Sequence, residues 1–194
     1  MRTLRLSLLL ALGAAVVAVP AAGAPSADML IRPGQAIGKA RLGMSEAEVR
    51  RALGRPFAVV RRRVGFGNLA VEYQYADGNL FVHLRGRARA LRVVRIVTLQ
   101  RSERTREGVG VGIRERVLMR AYRGRLRCAR LPTATRGGIT YVVGSRTCSL
   151  SRGASRTVFR IDGRVESTWD TTRWSRLSEW PRNARIVDVT VEAR

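Results

Sequence analysis

The spacing of apolar and polar positions first predicts a short helix near residue 50. Apolar side chains recur on one helical face of residues 42–54, at Val49, Ala52 and Leu53. Ser45 is suited to cap this helix, because Glu48 follows three residues later and completes a capping box. Gly54 is expected to end the helix in a left-handed conformation. The pattern therefore predicts an amphipathic helix between Ser45 and Gly54.

After this helix the apolar period changes to the alternation of strands. Alternate apolar residues share one side of the first strand, at Leu69, Val71, Tyr73 and Tyr75. Asp77 and Gly78 form a strong hairpin signal, and two more strands are expected over residues 80–84 and 91–99. One helix followed by an antiparallel meander predicts an α+β unit. The pattern leaves open whether residues 57–64 add a strand, because three consecutive arginines interrupt them.

The pattern of helix and strands recurs later in the chain. Residues 111–122 repeat the glycine turn and helix at an offset of 69, with the helix expected over residues 114–122. Strands are expected over residues 139–143 and 157–161, followed by a turn at Asp162-Gly163. The sequence therefore predicts an α+β fold of two tandem repeats, each a helix plus an antiparallel sheet.

Gly86 and Gly163 are taken as equivalent positions of the two repeats. Their offset is 77 (163 minus 86), so the second repeat gains about eight residues over the helix offset of 69. An inserted loop is the expected cause. The predicted organisation is a signal peptide over 1–24, a first repeat over 25–107, a second repeat over 108–171 and a C-terminal tail over 172–194.

The N-terminus carries the pattern of an export signal. Arg2 and Arg5 precede an uncharged run over residues 6–19, and small residues follow Pro20. This order is typical of a signal peptide, with cleavage expected between about residues 21 and 27. An uncleaved membrane anchor is the alternative, because about 20 apolar residues can span a bilayer. The protein is therefore expected to be secreted or extracytoplasmic.

Cys128 and Cys148 are the only cysteines of the chain. In an oxidising compartment they are expected to form a disulfide, with two free buried thiols as the alternative. A metal site is not expected, because two cysteines and one histidine cannot supply the usual four ligands. No cofactor is expected either, since the glycine-rich run over residues 108–112 lacks the spacing of a phosphate or dinucleotide loop.

The chain is strongly basic, with a net charge of +23. Of its 37 basic residues only Lys39 is a lysine, which suits GC-rich codon usage as well as selection for a binding surface. The charge is expected to attract the protein to acidic cell-wall polymers or lipid head groups in a salt-sensitive way. Nucleic-acid binding is not expected, because the leader directs the protein away from nucleic acid and no recognition motif is present.

The run Leu42-Gly43-Met44-Ser45-x-x-Glu48-Val49-x-x-x-Leu53-Gly54 resembles the signature of the β-lactamase-inhibitor-protein-like repeat. It is similar also to the SmpA/OmlA-type domain of small outer-membrane assembly lipoproteins. In these families a helical segment packs on a small antiparallel sheet, and the inhibitors carry two tandem copies. The resemblance covers about residues 31–171. It implies protein binding through the exposed sheet and hairpin tips, without catalysis.

The chain departs from both families in several details. The spacing of Cys128 and Cys148 is similar to that of the second-repeat disulfide of the inhibitors, whereas their first-repeat disulfide has no counterpart. The inhibitory hairpin of that family carries an acidic residue followed by an aromatic one. Here Asp77 is followed by Gly78. The leader also lacks the cysteine that accepts lipid in the lipoproteins.

The remaining candidates are one histidine and an aromatic tail. His83 is the sole histidine, and its expected place is on a strand face rather than in acid–base catalysis. The tail interleaves aromatic and basic residues that suit partner binding, at Arg173, Trp174, Arg176 and Trp180. The alternative is that these rings fold back over one end of the sheet.

These observations predict an exported, non-enzymatic protein-binding module of the bacterial cell envelope or secreted fraction. Its expected partner is an extracytoplasmic protein of unknown identity, with Asp77 and the tail as possible contacts. The first alternative is an arginine-rich binder of anionic envelope polymers or of the membrane surface. A hydrolase inhibitor or a hydrolase is a weaker alternative, because the sequence offers no convergent acid, base and nucleophile.

Overall fold

The structure, a computed structural model, describes residues 27–130, 134–136, 139–141, 145–162 and 184–194. These residues form a mixed α+β fold with two α-helices, and most of them lie in strands. The predicted signal peptide over residues 1–24 lies outside the described residues. So do the predicted partner-binding residues Arg173, Trp174, Arg176 and Trp180.

The first helix, α1 (Glu46–Leu53), begins and ends where the sequence predicts. The Ser45 Oγ accepts a hydrogen bond from the Glu48 N–H at 3.3 Å, and the Ser45 N–H donates to Glu48 Oε2 at 2.7 Å. Gly54 follows the last helical residue with φ +78°, and its N–H donates to the Arg50 carbonyl at 2.8 Å. The predicted capping box is therefore confirmed. The second predicted helix is present as α2 (Glu115–Ala121).

Fourteen β-strands accompany the two helices in the described residues. In chain order they are β1 (Leu30–Arg32), β2 (Ala36–Ile37), β3 (Ala40–Arg41), β4 (Ala58–Arg63), β5 (Asn68–Tyr75), β6 (Leu80–Arg87), β7 (Arg92–Thr98), β8 (Arg104–Thr105), β9 (Leu126–Arg130), β10 (Ala134–Arg136), β11 (Ile139–Tyr141), β12 (Ser145–Arg152), β13 (Ser155–Asp162) and β14 (Arg185–Ala193). Two 3₁₀ turns, Ala27–Met29 and Ala76–Gly78, complete the described elements.

An eight-stranded antiparallel sheet dominates the fold. Its strand order is β4-β5-β6-β7-β14-β13-β12-β9. A small four-stranded sheet has the order β3-β2-β1-β8, and β10 pairs only with β11. The three strands predicted in the first half are therefore confirmed as β5, β6 and β7. The undecided run over residues 57–64 forms β4, which tolerates its three arginines because it is an edge strand whose side chains are largely exposed.

The sequence pattern does not indicate how the strands of the second half are arranged. The predicted strand over residues 139–143 is present as β11, which lies outside the main sheet, where β12 lies beside β13 and β9 beside β12. Asp162, the first residue of the predicted turn, ends β13 and pairs with Arg185, and Gly163 lies outside the described residues. The last part of the predicted segment 172–194 forms β14, which lies between β7 and β13 at the centre of the sheet.

One face of the main sheet carries the core. The alternate apolar positions of β5 and β6 are buried as predicted, and Tyr73 is fully buried. Val49 of α1 and Leu118 of α2 belong to the same apolar cluster, so both helices pack on this face. Burying one such side chain stabilises the fold by roughly 1.5–3 kcal/mol. The joint cluster makes the helices and the main sheet one packed unit.

Glu46 ties α1 to the sheet. Its Oε1 accepts a hydrogen bond from the buried Tyr73 hydroxyl and lies 2.9 Å from Arg61 Nη2 and 3.3 Å from Arg50 Nη2. The hydrogen bond from Tyr73 is the main cause that lowers the pKa of Glu46, and the two arginines lower it further. The ionised carboxylate therefore holds helix and sheet together.

The stabilisation by Glu46 is expected to disappear in acid. A carboxyl group whose pKa is lower in the folded state contributes stability above its ordinary value of 4.5, and this contribution is lost as the pH falls through the folded-state pKa. The free energies of unfolding of wild type and E46Q, measured in urea from pH 7 to pH 3, should therefore converge. A difference that stays constant over this range would contradict the assignment.

The predicted disulfide between Cys128 and Cys148 is present. The two residues lie directly opposite each other in β9 and β12, and the bridge closes a loop of sequence separation 20. It therefore links the edge strand β9 to β12 across the segment that contains β10 and β11.

Removing this bridge is expected to lower the free energy of unfolding by about 3 kcal/mol, because the unfolded chain gains loop entropy. The measurement is urea unfolding of the wild type with and without a reducing agent. Reduction leaves both side chains in place, so the difference in the free energy of unfolding contains no contribution from a cavity. The variant C128A/C148A serves as the control and should not respond to the reducing agent.

Candidate binding face of the sheet

The face of the main sheet opposite the helices carries rows of polar and apolar side chains. Strand pairing aligns one charged row across five strands, in the order Glu72, His83, Arg95, Glu192 and Arg156. A second row is mainly apolar, in the order Phe81, Val97, Thr190 and Val158. The alternation of strands places these residues on one face because their neighbours point into the core. We call this surface the open face.

Ion pairs link the open-face charges across strands. Glu192 lies 2.6 Å from Arg156 Nη2 and 3.7 Å from Arg95 Nε, and its side chain is 19% exposed. Asp188 pairs with Arg160 at 2.5 Å. Burial raises the pKa of Asp188, whereas the adjacent Arg160 opposes this shift. Each arginine keeps about half of its side chain exposed, so the pairs leave cationic groups available to a partner.

The open face is concave in two places. One concavity of about 510 Å³ lies against β4, β5 and β6 and includes Arg62 and His83 among its lining residues. The other, of about 670 Å³, includes Phe81 and Arg160. Arg95 and Glu192 line both. The two depressions therefore adjoin each other along the middle of the sheet.

His83 has a carboxylate partner that was not predicted from the sequence. Its Nδ1 lies 3.4 Å from Glu72 Oε2, and both side chains are 30% exposed. Burial is the main cause that lowers the pKa of His83, the Glu72 carboxylate raises it, and Arg95 lowers it. The sequence did hold the information for this contact. The turn at Asp77-Gly78 sets the register of β5 and β6, and this register places Glu72 opposite His83. The expected place of His83 on a strand face is confirmed.

The other predicted site residues are spread over the molecule. Asp77 lies exposed in the turn between β5 and β6 with φ +51°, at the end of the sheet rather than on the open face. Gly112 makes the turn into α2, as expected, and its N–H donates to the Ile186 carbonyl at 2.7 Å. In the part of the chain that the structure describes, no three His, Cys, Asp or Glu side chains gather as metal ligands. Neither described helix has the length and apolar composition that a bilayer crossing requires.

The chain is similar in structure to the crystal structure of the uncharacterized protein yfeY from Escherichia coli. The two sequences are 14% identical, and the superposition covers 83% of this chain and 97% of that chain with a TM-score of 0.48. No protein-family model matches the sequence. No curated protein matches it significantly either. A structural similarity this distant carries no information on function, which leaves the geometry of the chain itself as the guide to its role.

The titration of His83 tests the electrostatics of the open face. Because His83 is the only histidine, its ring protons can be followed by NMR without assignment ambiguity. We expect a midpoint below the ordinary value of 6.5, since burial disfavours the charged ring. E72Q should lower the midpoint further and R95Q should raise it. A midpoint above 6.5, or a rise in E72Q, would show that the described charge row does not control His83.

Proposed function

We propose that the protein is an exported, non-enzymatic binding module that binds another protein through its open face. The single observation that carries the proposal is the concave open face itself, with a charged row beside an apolar row. A partner of complementary shape and charge can pack against such a surface. Charges along the row set which partner is accepted, and the apolar row contributes the burial that stabilises the complex.

The size of the open face supports a protein partner. The apolar row crosses four neighbouring strands, and strands lie about 4.8 Å apart, so the row spans roughly 15 Å. The charged row spans five strands beside it. Together with the two concavities, these rows offer an area that suits a protein surface better than a small ligand enclosed on all sides.

A tandem repeat of the β-lactamase-inhibitor-protein-like kind is part of this proposal. The order of elements supports it, because α1 is followed by β4, β5, β6 and β7, and α2 is followed by β9, β12, β13 and β14. In the sheet the two sets of four run outward in mirror order from β7 and β14. Insertions in the second set would then lie between β9 and β12 and between β13 and β14.

The surroundings of His83 support a binding role rather than catalysis. Its neighbours along the charged row are Glu72 and Arg95, and Val60 lies beyond Glu72. In nucleophilic catalysis a histidine–carboxylate pair acts on a serine, threonine or cysteine within hydrogen-bond reach. The described residues that line the concavity around His83 include none of these. The pair fits better as one member of the alternating charge pattern.

Export is the remaining part of the proposal. The disulfide supports it, because bridges of this kind persist in oxidising compartments outside the cytoplasm. Export would also place the open face among envelope proteins. The alternative function, binding of anionic envelope polymers, rests on the net charge of +23 and would depend on charge rather than on the apolar row.

Capture of an envelope protein tests the proposal. The immobilised chain is exposed to the envelope fraction of the source organism, and the captured protein is then titrated against wild type, F81S and V117S. Phe81 lies in the apolar row, and Val117 is a partly exposed apolar residue of α2, which makes V117S the matched control. We expect F81S to weaken binding by at least about tenfold, as hot-spot residues do, and V117S to leave it unchanged.

Salt separates the two functions in the same experiment. A complex that depends on the apolar row should persist at about 500 mM salt, whereas a polyanion should be released. Equal binding by F81S and V117S, with complete release at high salt, would favour the polymer-binding alternative. Equal binding at both salt concentrations would show that the open face is not the binding surface.

A further inference from the structure

One end of the sheet presents an aromatic side chain on a hairpin tip. In the turn between β4 and β5, the Val64 N–H donates to the Asn68 carbonyl at 3.0 Å and the Asn68 N–H donates to the Gly65 carbonyl at 2.9 Å. Phe66 lies at the apex with φ +48°, between two glycines that also have positive φ. Its side chain is fully exposed, with a relative accessibility of 103%, and that of Val64 is 42% exposed. A hydrogen-bonded turn therefore holds two apolar side chains in solvent.

The fold itself gains nothing from a phenylalanine at this position. A positive φ favours glycine or asparagine over a bulky residue, and a fully exposed ring contributes no burial to the core. Phe57, at the opposite end of β4, is also exposed at 74%, but it has no comparable place on a turn. Among the large apolar residues in the described part of the chain, Phe66 is thus the most exposed.

Arginines surround this apex. The end of β6 lies beside it, because Arg87 pairs with Asn68. Residues 61–71 and 84–92 together contain seven arginines and no acidic residue. Arg61 and Arg92 pair with acidic side chains of α1. The other five are exposed and form no ion pair within the described residues, namely Arg62, Arg63, Arg85, Arg87 and Arg89.

We propose that this basic tip, made of Val64, Phe66 and the five arginines, docks on a bilayer surface that carries anionic lipids. Phe66 and Val64 enter the boundary between head groups and acyl chains, and the arginines pair with lipid phosphates. The two kinds of group occur in the arrangement that such a boundary requires, since the apolar side chains stand at the apex and the cations lie behind them.

A bilayer fits the tip better than the other anionic surfaces do. A soluble anionic polymer can pair with the arginines, but it offers no apolar region for Phe66. A protein partner would meet a convex turn with little area to bury, whereas specific protein interfaces bury about 800 Å² on each side. The tip lies at the end of the sheet, away from the apolar row. Its Arg62 and Arg85 also line the 510 Å³ concavity of the open face, whereas Phe66, Arg63 and Arg87 line neither concavity and therefore test the tip separately.

Co-sedimentation with vesicles tests the proposal. The exported chain, freed of the predicted leader over residues 1–24, is mixed with vesicles of phosphatidylcholine alone or with added phosphatidylglycerol, and the variants F66S, F57S, R63Q/R87Q and F81S are compared with the wild type. The leader is removed because about 20 apolar residues can enter a bilayer by themselves and would mask the contribution of the tip. F57S is the matched control, because it removes an exposed phenylalanine from the other end of the same strand.

Wild type should bind the anionic vesicles much more strongly than the neutral ones. F66S should weaken this binding by about tenfold or more, since it removes the burial of an aromatic side chain. R63Q/R87Q should weaken it by about fivefold for each arginine removed. F57S should bind as the wild type does, and so should F81S, which separates this result from the test of the open face.

Three results would overturn the proposal. The first is equal binding of wild type to neutral and anionic vesicles, or no binding to either. The second is equal binding by F66S and F57S, which would show that charge alone acts. The third is that soluble polyphosphate displaces wild type and F66S from the anionic vesicles to the same extent. This would identify a polyanion as the ligand of the tip.

Discussion

The antiparallel pairing of β7 with β14 makes one sheet out of two meanders. Four residue pairs form this junction, from Arg95 opposite Glu192 to Thr98 opposite Val189. Strands β4 to β7 extend to one side of it, and β13, β12 and β9 extend to the other. Because the junction keeps the pleat in register, buried and open positions continue across it without a break. The single apolar cluster, which includes Val49 and Leu118, depends on that continuity.

The same junction organises the charges of the open face. Glu192 is on β14, and it pairs with Arg95 from the first half of the chain and with Arg156 from the second. Its carboxylate is mostly buried while both arginines remain about half exposed. Side chains from distant parts of the sequence therefore meet at the boundary between the two concavities. The geometry of the proposed binding surface is set by the backbone pairing beneath it rather than by a flexible loop.

Local features of the fold could be predicted from the sequence, and distant pairings could not. The capping box of Ser45 and Glu48 lies within four residues, and the hairpin at Asp77-Gly78 fixes the register of β5 and β6 by itself. That register also implied the contact of Glu72 with His83. By contrast, nothing near residues 185–193 indicates that they pair with β7, since the partner strand is 87 positions away, from residue 98 to residue 185.

Two other features of the structure could not be predicted from the sequence, for physical reasons. The sequence left open whether the arginine-rich residues of β4 form a strand. An edge strand buries few side chains, so its sequence need not alternate between apolar and polar residues. In the second half, the apolar run at residues 139–141 forms β11 outside the main sheet, and the strand that joins the main sheet, β12, begins at residue 145. The basic tip had no periodic signal at all, since Phe66 packs against no other element and only its exposure distinguishes it.

The position of β14 has a consequence for how the molecule is made. Ribosomes add about 5–20 residues per second, so roughly 4–17 seconds pass between completion of β7 and the start of β14. During that interval one flank of the nascent meander has unsatisfied backbone groups that any extended chain can bind. A chain that folds while it is being synthesised therefore exposes this strand edge to solvent until its final strand has been made.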